Sequence, residues 1–218
     1  MTFIQMVQEL VRLAGMAGVG GPPVISGQTG EYKRAIEFIR LAHQDVCNLH
    51  LDWDFLWATD TLALEAGTAT YAGPADLGAW DGQRLFIDNE PLPLIDWPDY
   101  QPETLSPARP HSAALRPDGQ LLMLPAPDGD YTLAFEYWKQ PPDLTDDADE
   151  PLIPAQFRRV IVGRALMLYG NYEAAEDAKM QGAELYRSYL ELLERHQLSR
   201  RQQTYGRTNA APIVVTPQ

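Results

Sequence analysis

IRLAHQDVCNLHLDWDFLWATDTLAL, residues 39–64, contains the change of hydrophobic period on which the fold turns. Ile39, Ala42, Val46, Leu49 and Trp53 fall on one helical stripe. From Ala58 onward the spacing drops toward two, first in Thr61–Leu64. Between the two patterns lies LDWDFLW, residues 51–57, with Trp53, Phe55 and Trp57 inside five positions. We read them as a bulky aromatic plug where helix gives way to strand, because large aromatics dominate cores. The competing use of the same rings is stacking on bases or sugars.

Upstream, Thr2 and Gln5 have the spacing of a capping box. Phe3, Met6, Val7, Leu10, Val11 and Ala14 then recur at helical spacing, so residues 2–14 are expected to be helical. GMAGVGGPPVISGQTG, residues 15–30, is read as a loop, since its glycines and Pro22-Pro23 forbid regular helix. A second helix is expected over 30–50, with Glu31 favourably placed in its first turn.

Downstream, Arg84–Ile87, Leu121–Leu124 and Tyr131–Tyr137 are strand-like. RPDGQ (116–120) and DNE (88–90) are turn signals between apolar runs. The dense prolines of 91–110 predict short, edge-like strands. TDDADEP, residues 145–151, is read as a solvated linker that complements the start of the next helix. That third helix is expected over 155–169, opened by Pro154 and broken at Gly170-Asn171. The fourth is expected over 172–200, with Ala175, Ala178, Leu185, Tyr189, Leu192 and Leu193 inward. The fold class is therefore α+β. A four-helix bundle (1–57 and 141–202) carries a β-rich insertion (58–140) between its second and third helices, with an extended C-terminal arm (203–218).

The 218 residues carry a net charge of −13 and a single cysteine, Cys47. One thiol forms no intrachain disulfide and fits a reducing compartment. The N-terminal segment lacks the pattern of a secretory signal, and no apolar run is long enough to span a membrane. The charge is uneven: residues 195–218 hold Arg195, Arg200, Arg201 and Arg207 and no acidic side chain. An acidic body disfavours wrapping by nucleic acid. Within the arm, Gly206 and Pro212 break helix, while Ile213, Val214 and Val215 suit a strand that needs a partner.

Chemistry finds little anchorage. His43, Cys47 and His50 share a helix face at i, i+4 and i+7, which permits a metal but lacks a fourth ligand; a packing face is the favoured reading. The glycine loop lacks the lysine and preceding strand of a phosphate cradle. Asp143, Asp146, Asp147, Asp149 and Glu150 lack the central glycine of a calcium loop. No G-x-S-x-G elbow occurs. No catalytic, cofactor-binding or metal residue is assigned.

The first helix, SGQTGEYKR, IRLAHQDVCNLHLDWDFLW and PAQFRRVIVGRALMLYGNYEAA together resemble head–tail adaptor proteins of tailed bacteriophages. The resemblance covers most of the chain. It implies no enzyme activity and no cofactor. It implies a virion protein made in the host bacterial cytoplasm and located at the neck. There it would form a homo-oligomeric ring, usually of twelve subunits, beneath the portal protein. The ring would extend the DNA channel and dock tail or neck proteins. Double-stranded DNA would pass without specific binding along an acidic wall. On this resemblance Arg200, Arg201, Tyr205, Arg207, Ile213, Val214 and Val215 form a portal-binding arm. Apolar residues such as Ile36 and Tyr186 would face neighbouring subunits. The alternatives are another neck component, a gatekeeper or tail-completion protein, and a ligand- or glycan-binding module.

Overall fold

The computed structural model describes residues 1–16, 21–100 and 106–198. Within them the chain is α+β, with four α-helices and two β-sheets. It divides into two compact units: Met1–Phe55 with the chain from Pro141 on, and Leu56–Gln140.

The helical unit contains α1 (Phe3–Leu13), α2 (Gly30–Cys47), α3 (Arg159–Tyr172) and α4 (Glu176–Gln197). Thr2 caps α1, its N–H donating to Gln5 Oε1 at 2.9 Å. The face expected from spacing is the buried one: Phe3, Met6, Val7, Leu10 and Val11. Helix α3 is the centre of the unit, packed against α1, α2 and α4. Its buried residues Val160, Ile161, Val162, Ala165 and Leu166 point in several directions around its axis, while Arg159 and Arg164 reach outward to Glu9 and Asp45.

Several helix boundaries differ from expectation. Helix α2 stops at Cys47, so Leu49 leaves the apolar stripe and is exposed. The indole of Trp53 donates to the Val46 carbonyl at 3.2 Å, satisfying an acceptor of the last turn. Helix α3 begins at Arg159, after a 3-10 turn over Ala155–Phe157, and runs through Gly170 to Tyr172. Gly170 is a contact residue rather than a breaker. A Cβ there would lie 2.6 Å from the Lys179 nitrogen of α4. The chain reverses at Glu173–Ala175 instead, where Ala174 takes a φ of 53°. Helix α4 therefore starts at Glu176, not at residue 172.

The acidic linker serves two helices: Glu150 pairs with Arg158 at the N-cap of α3, and the rest of the run turns to α1. Its Asp149 and Asp147 carbonyls accept the Phe3 and Ile4 N–H groups at the start of α1. Asp147 Oδ1 accepts the Ile25 N–H at 2.6 Å. Asp149 also folds back on Thr145 and Asp146, whose N–H groups hold its carboxyl below the usual carboxylate range.

Among the described residues the second unit has eight strands: β1 (Trp57–Leu64), β2 (Thr70–Tyr71), β3 (Leu77–Ile87), β4 (Glu90–Pro91), β5 (Leu94–Asp96), β6 (Ser112–Leu115), β7 (Leu121–Leu124) and β8 (Tyr131–Lys139). One sheet has the order β1-β8-β3-β4, the other β2-β7-β6-β5. All pairings are antiparallel except β5 with β6. Alternate residues of both sheets meet in one core, among them Leu64, Leu85, Ile87, Leu121, Met123, Leu133 and Phe135. Both turn signals are hairpins. Asp88 and Asn89 take φ of 49° and 69° between β3 and β4, and Arg116 N–H reaches Gln120 O at 2.9 Å between β6 and β7. Pro91 sits on the edge strand β4, where its missing N–H costs no ladder bond.

Candidate functional site

The arm residues Arg200, Arg201, Tyr205, Arg207, Ile213, Val214 and Val215 lie outside the described residues. The aromatic segment is described throughout. Trp53 is fully buried. Its ring stacks on Phe55 at 5.3 Å and 24°, and His50 meets it edge-on at 4.8 Å. His50 Nε2 lies 3.4 Å from Glu194 Oε1, so the same cluster links the end of α2 to the last turn of α4. Trp57 belongs to the β unit. It is 48% exposed, and its indole donates to Glu136 Oε2 at 2.9 Å. The three rings are thus divided: Trp53 and Phe55 come together, while Trp57 lies on the outer face of β1 beside the Arg84–Glu136 ion pair.

His43 and Cys47 are both buried. Burial pushes the Cys47 thiol up to about 12, so the nucleophilic thiolate is not available near neutral pH. Burial lowers His43 to about 4, with the Asp143 charge pulling the other way. His50 is turned to Glu194. Among the described residues no three histidine, cysteine or carboxylate side chains are grouped as a metal set, and no helix is long and apolar enough to cross a membrane.

What the helical unit does offer is surface. Helix α4 buries only Gly182, Leu193 and Gln197. Leu192, expected inward, is exposed, as is Met180. Elsewhere in the unit, Leu41 of α2 and Tyr172 at the end of α3 are exposed, and the Tyr172 ring meets half-buried Phe38 at 6.1 Å. Arg34 stacks over the Tyr172 ring at 4.8 Å and pairs with Glu173. Exposed aromatic and long apolar side chains with an arginine are the composition of protein-binding surfaces. Ile36 is not part of this surface: it is buried under the unit, because α2 turns that position toward the core. Tyr186 is half-buried.

Several structural contacts escaped the periodicity argument. Arg158 is buried, with Nε on the Ile153 carbonyl, one terminal nitrogen on Met1 O and an ion pair to Glu150 at 3.0 Å. Arg159 joins Glu9 of α1 to the Tyr189 hydroxyl of α4. The Arg-Arg pair before an apolar run was the available signal; burial of one of them was not encoded in the period. Gly163 and Gly182 form a close seam between α3 and α4. A Cβ on Gly163 would stand 2.6 Å from the Tyr186 nitrogen, and one on Gly182 2.7 Å from the Met167 nitrogen.

A family model described as "SU10 adaptor protein" matches residues 1–213, all of the second unit and most of the first. No curated protein matches the chain.

Proposed function

We propose a specific role at the phage neck on the premise that the chain belongs to the SU10 adaptor protein family, a family of phage head–tail adaptors. The chain is a phage structural adaptor protein. Its finer role, in our reading, is to form a homo-oligomeric ring of twelve subunits beneath the portal, extending the DNA channel and docking the tail. The observation that carries this reading is the length of the family match, 1–213.

In this reading the helical unit is a four-helix bundle interrupted by the β unit. A ring of one chain needs two different surfaces that close on each other. The outward face of α4, with Met180 and Leu192, is one. The Phe38–Leu41–Tyr172 surface is the other. The net charge of −13 suits a channel wall along which DNA slides, because no phosphate contacts have to be broken. The arm supplies attachment. Arg200, Arg201 and Arg207 attract an acidic portal surface, with Tyr205 between them, and Ile213–Val215 add as a strand to a portal sheet edge.

Reconstitution on purified portal tests this. Full-length protein should bind portal and give a twelve-fold ring by electron microscopy. A chain lacking residues 203–218 should fold and fail to bind. Full-affinity binding by the shortened chain would remove the arm from the mechanism. A ring attached to the tail tube and not to portal would assign the chain to a different neck position.

A further inference from the structure

We propose that the hollow beside His43 is a receptor for a guanidinium group, the side chain of an arginine. The hollow measures about 350 Å³ and lies wholly within the helical unit, where the returning linker crosses α2. Its walls are Arg40, His43 and Gln44 from α2, and Asp143, Leu144 and Thr145 from the linker. His43 is 2% exposed, and its Nε2 has no hydrogen-bond partner. Buried polar atoms are nearly always paired, and this unpaired one belongs to a residue that lines the hollow.

The chemistry of the walls selects a cation. The Asp143 carboxylate receives only a long contact from the Gln44 amide, 3.4 Å, and forms no ion pair among the described residues. The one cationic side chain in the wall is committed elsewhere. Arg40 Nε donates to the Leu144 carbonyl at 2.9 Å, and a terminal nitrogen pairs with Glu37 at 3.4 Å. The Thr145 hydroxyl donates to Asp149 Oδ2, which leaves its oxygen able to accept. Burial keeps His43 neutral near pH 7, so in the Nδ1–H tautomer its Nε2 accepts a hydrogen bond and repels no cation.

An anion would meet Asp143, with Asp146, Asp147, Asp149 and Glu150 following it in the chain. A zinc-type metal would find one imidazole and one carboxylate, short of the three or four ligands it takes. A guanidinium fits better. It is planar, always charged, and carries five donors, two for a carboxylate and others for acceptors beside it. Such a group has two sources. Residues 199–218 of this chain carry Arg200, Arg201 and Arg207 and no acidic side chain. A protein partner could present the same group. The inference stands on the hollow and not on the ring.

The test uses the full-length, ¹⁵N-labelled chain and methylguanidinium chloride as probe, at constant ionic strength. The His43 ring nitrogens are followed by long-range ¹H–¹⁵N correlation. A saturable shift is expected, absent with tetramethylammonium and lost in Asp143→Asn. A non-saturating shift, an equal shift with tetramethylammonium, or an unchanged response in Asp143→Asn would overturn the proposal. The source is read from a variant with Arg200, Arg201 and Arg207 all changed to Ala. If the chain's own segment fills the hollow, this variant moves the His43 signals before any probe is added and binds the probe at least ten-fold more tightly than the parent. If a partner supplies the group, the two chains bind the probe equally. Either result supports the receptor and assigns its occupant.

Discussion

Helices α3 and α4 lie against each other and are built to opposite ends. Helix α3 is enclosed: it touches the other three helices, and even its glycines are spent on contact. Helix α4 is longer and touches little beyond α3, leaving Met180 and Leu192 in solvent. Both carry apolar residues at helical spacing, so periodicity alone gives them the same role. The difference lies in what covers the apolar stripe. For α3 the cover is the protomer itself. For α4 the described residues leave Met180 and Leu192 uncovered.

The inner half of that comparison breaks most severely at Trp53. Trp53→Ala should destabilise the helical unit by about 3–5 kcal/mol, measured by urea unfolding. The loss combines removal of a fully buried ring with release of the Val46 carbonyl. Stability close to that of the parent would mean that the ring is not part of the core and would revive a binding role for it.

His43 gives the next effect, through pH. Its folded pKa is lowered from 6.5 to about 4, so the unfolded chain takes up the proton first. The resulting stability is fully present above about pH 6.5 and is lost as pH falls toward 4, amounting to about 3 kcal/mol. Thermal unfolding from pH 4 to 7 should show this slope, and His43→Gln should flatten it. An equal slope in the variant would assign the acid sensitivity to groups other than His43, and not to Asp149, whose lowered carboxyl titrates below this window.

The seam between the two helices comes third. Gly163→Ala gains helix propensity of about 1 kcal/mol but places a Cβ against the backbone of Tyr186, which has no rotamer to change. Overpacking of about 1–3 kcal/mol should win, giving a net loss in thermal stability. A stabilised variant would show that α4 can move away from α3 at little cost, and the contrast between an enclosed and a mobile helix would then sharpen.

These glycines mark where sequence reading stopped. The change of period near Trp57, the DNE and RPDGQ turns and the buried face of α1 were all legible, because each is a local pattern with a local cause. Gly170 was read as a breaker, since a glycine needed for close approach and one that ends a helix look the same in sequence. Strands β2, β4, β5 and β6 are two to four residues long, too short to display a period, and the parallel β5–β6 pair depends on residues far apart in the chain. Of the aromatic segment, burial of Trp53 follows from its size, whereas the exposure of Trp57 depends on which face of β1 it occupies. The hollow at His43 was not legible at all: a helix face and a linker a hundred residues later had first to be brought together.

The outer half of the comparison should respond in assembly and hardly in stability. Met180→Ser and Leu192→Ser together change two exposed side chains that the protomer does not cover, so urea unfolding of the free chain should shift by about 0.5 kcal/mol or less. Interface positions behave otherwise. Loss of an apolar anchor at the centre of a contact typically costs 1–2 kcal/mol per site, which is about ten-fold or more in affinity for the pair. Ring assembly on portal, followed by sedimentation, should therefore need at least ten-fold more of the variant. The same double change has a control within the molecule: Leu41→Ser lies on the opposite proposed surface and should weaken the same assembly. If all three substitutions leave assembly unchanged, the apolar residues of α4 are ordinary surface, and the ring must be sought through the β unit. If only α4 matters, its partner is a different protein, and α4 is where portal or tail docks.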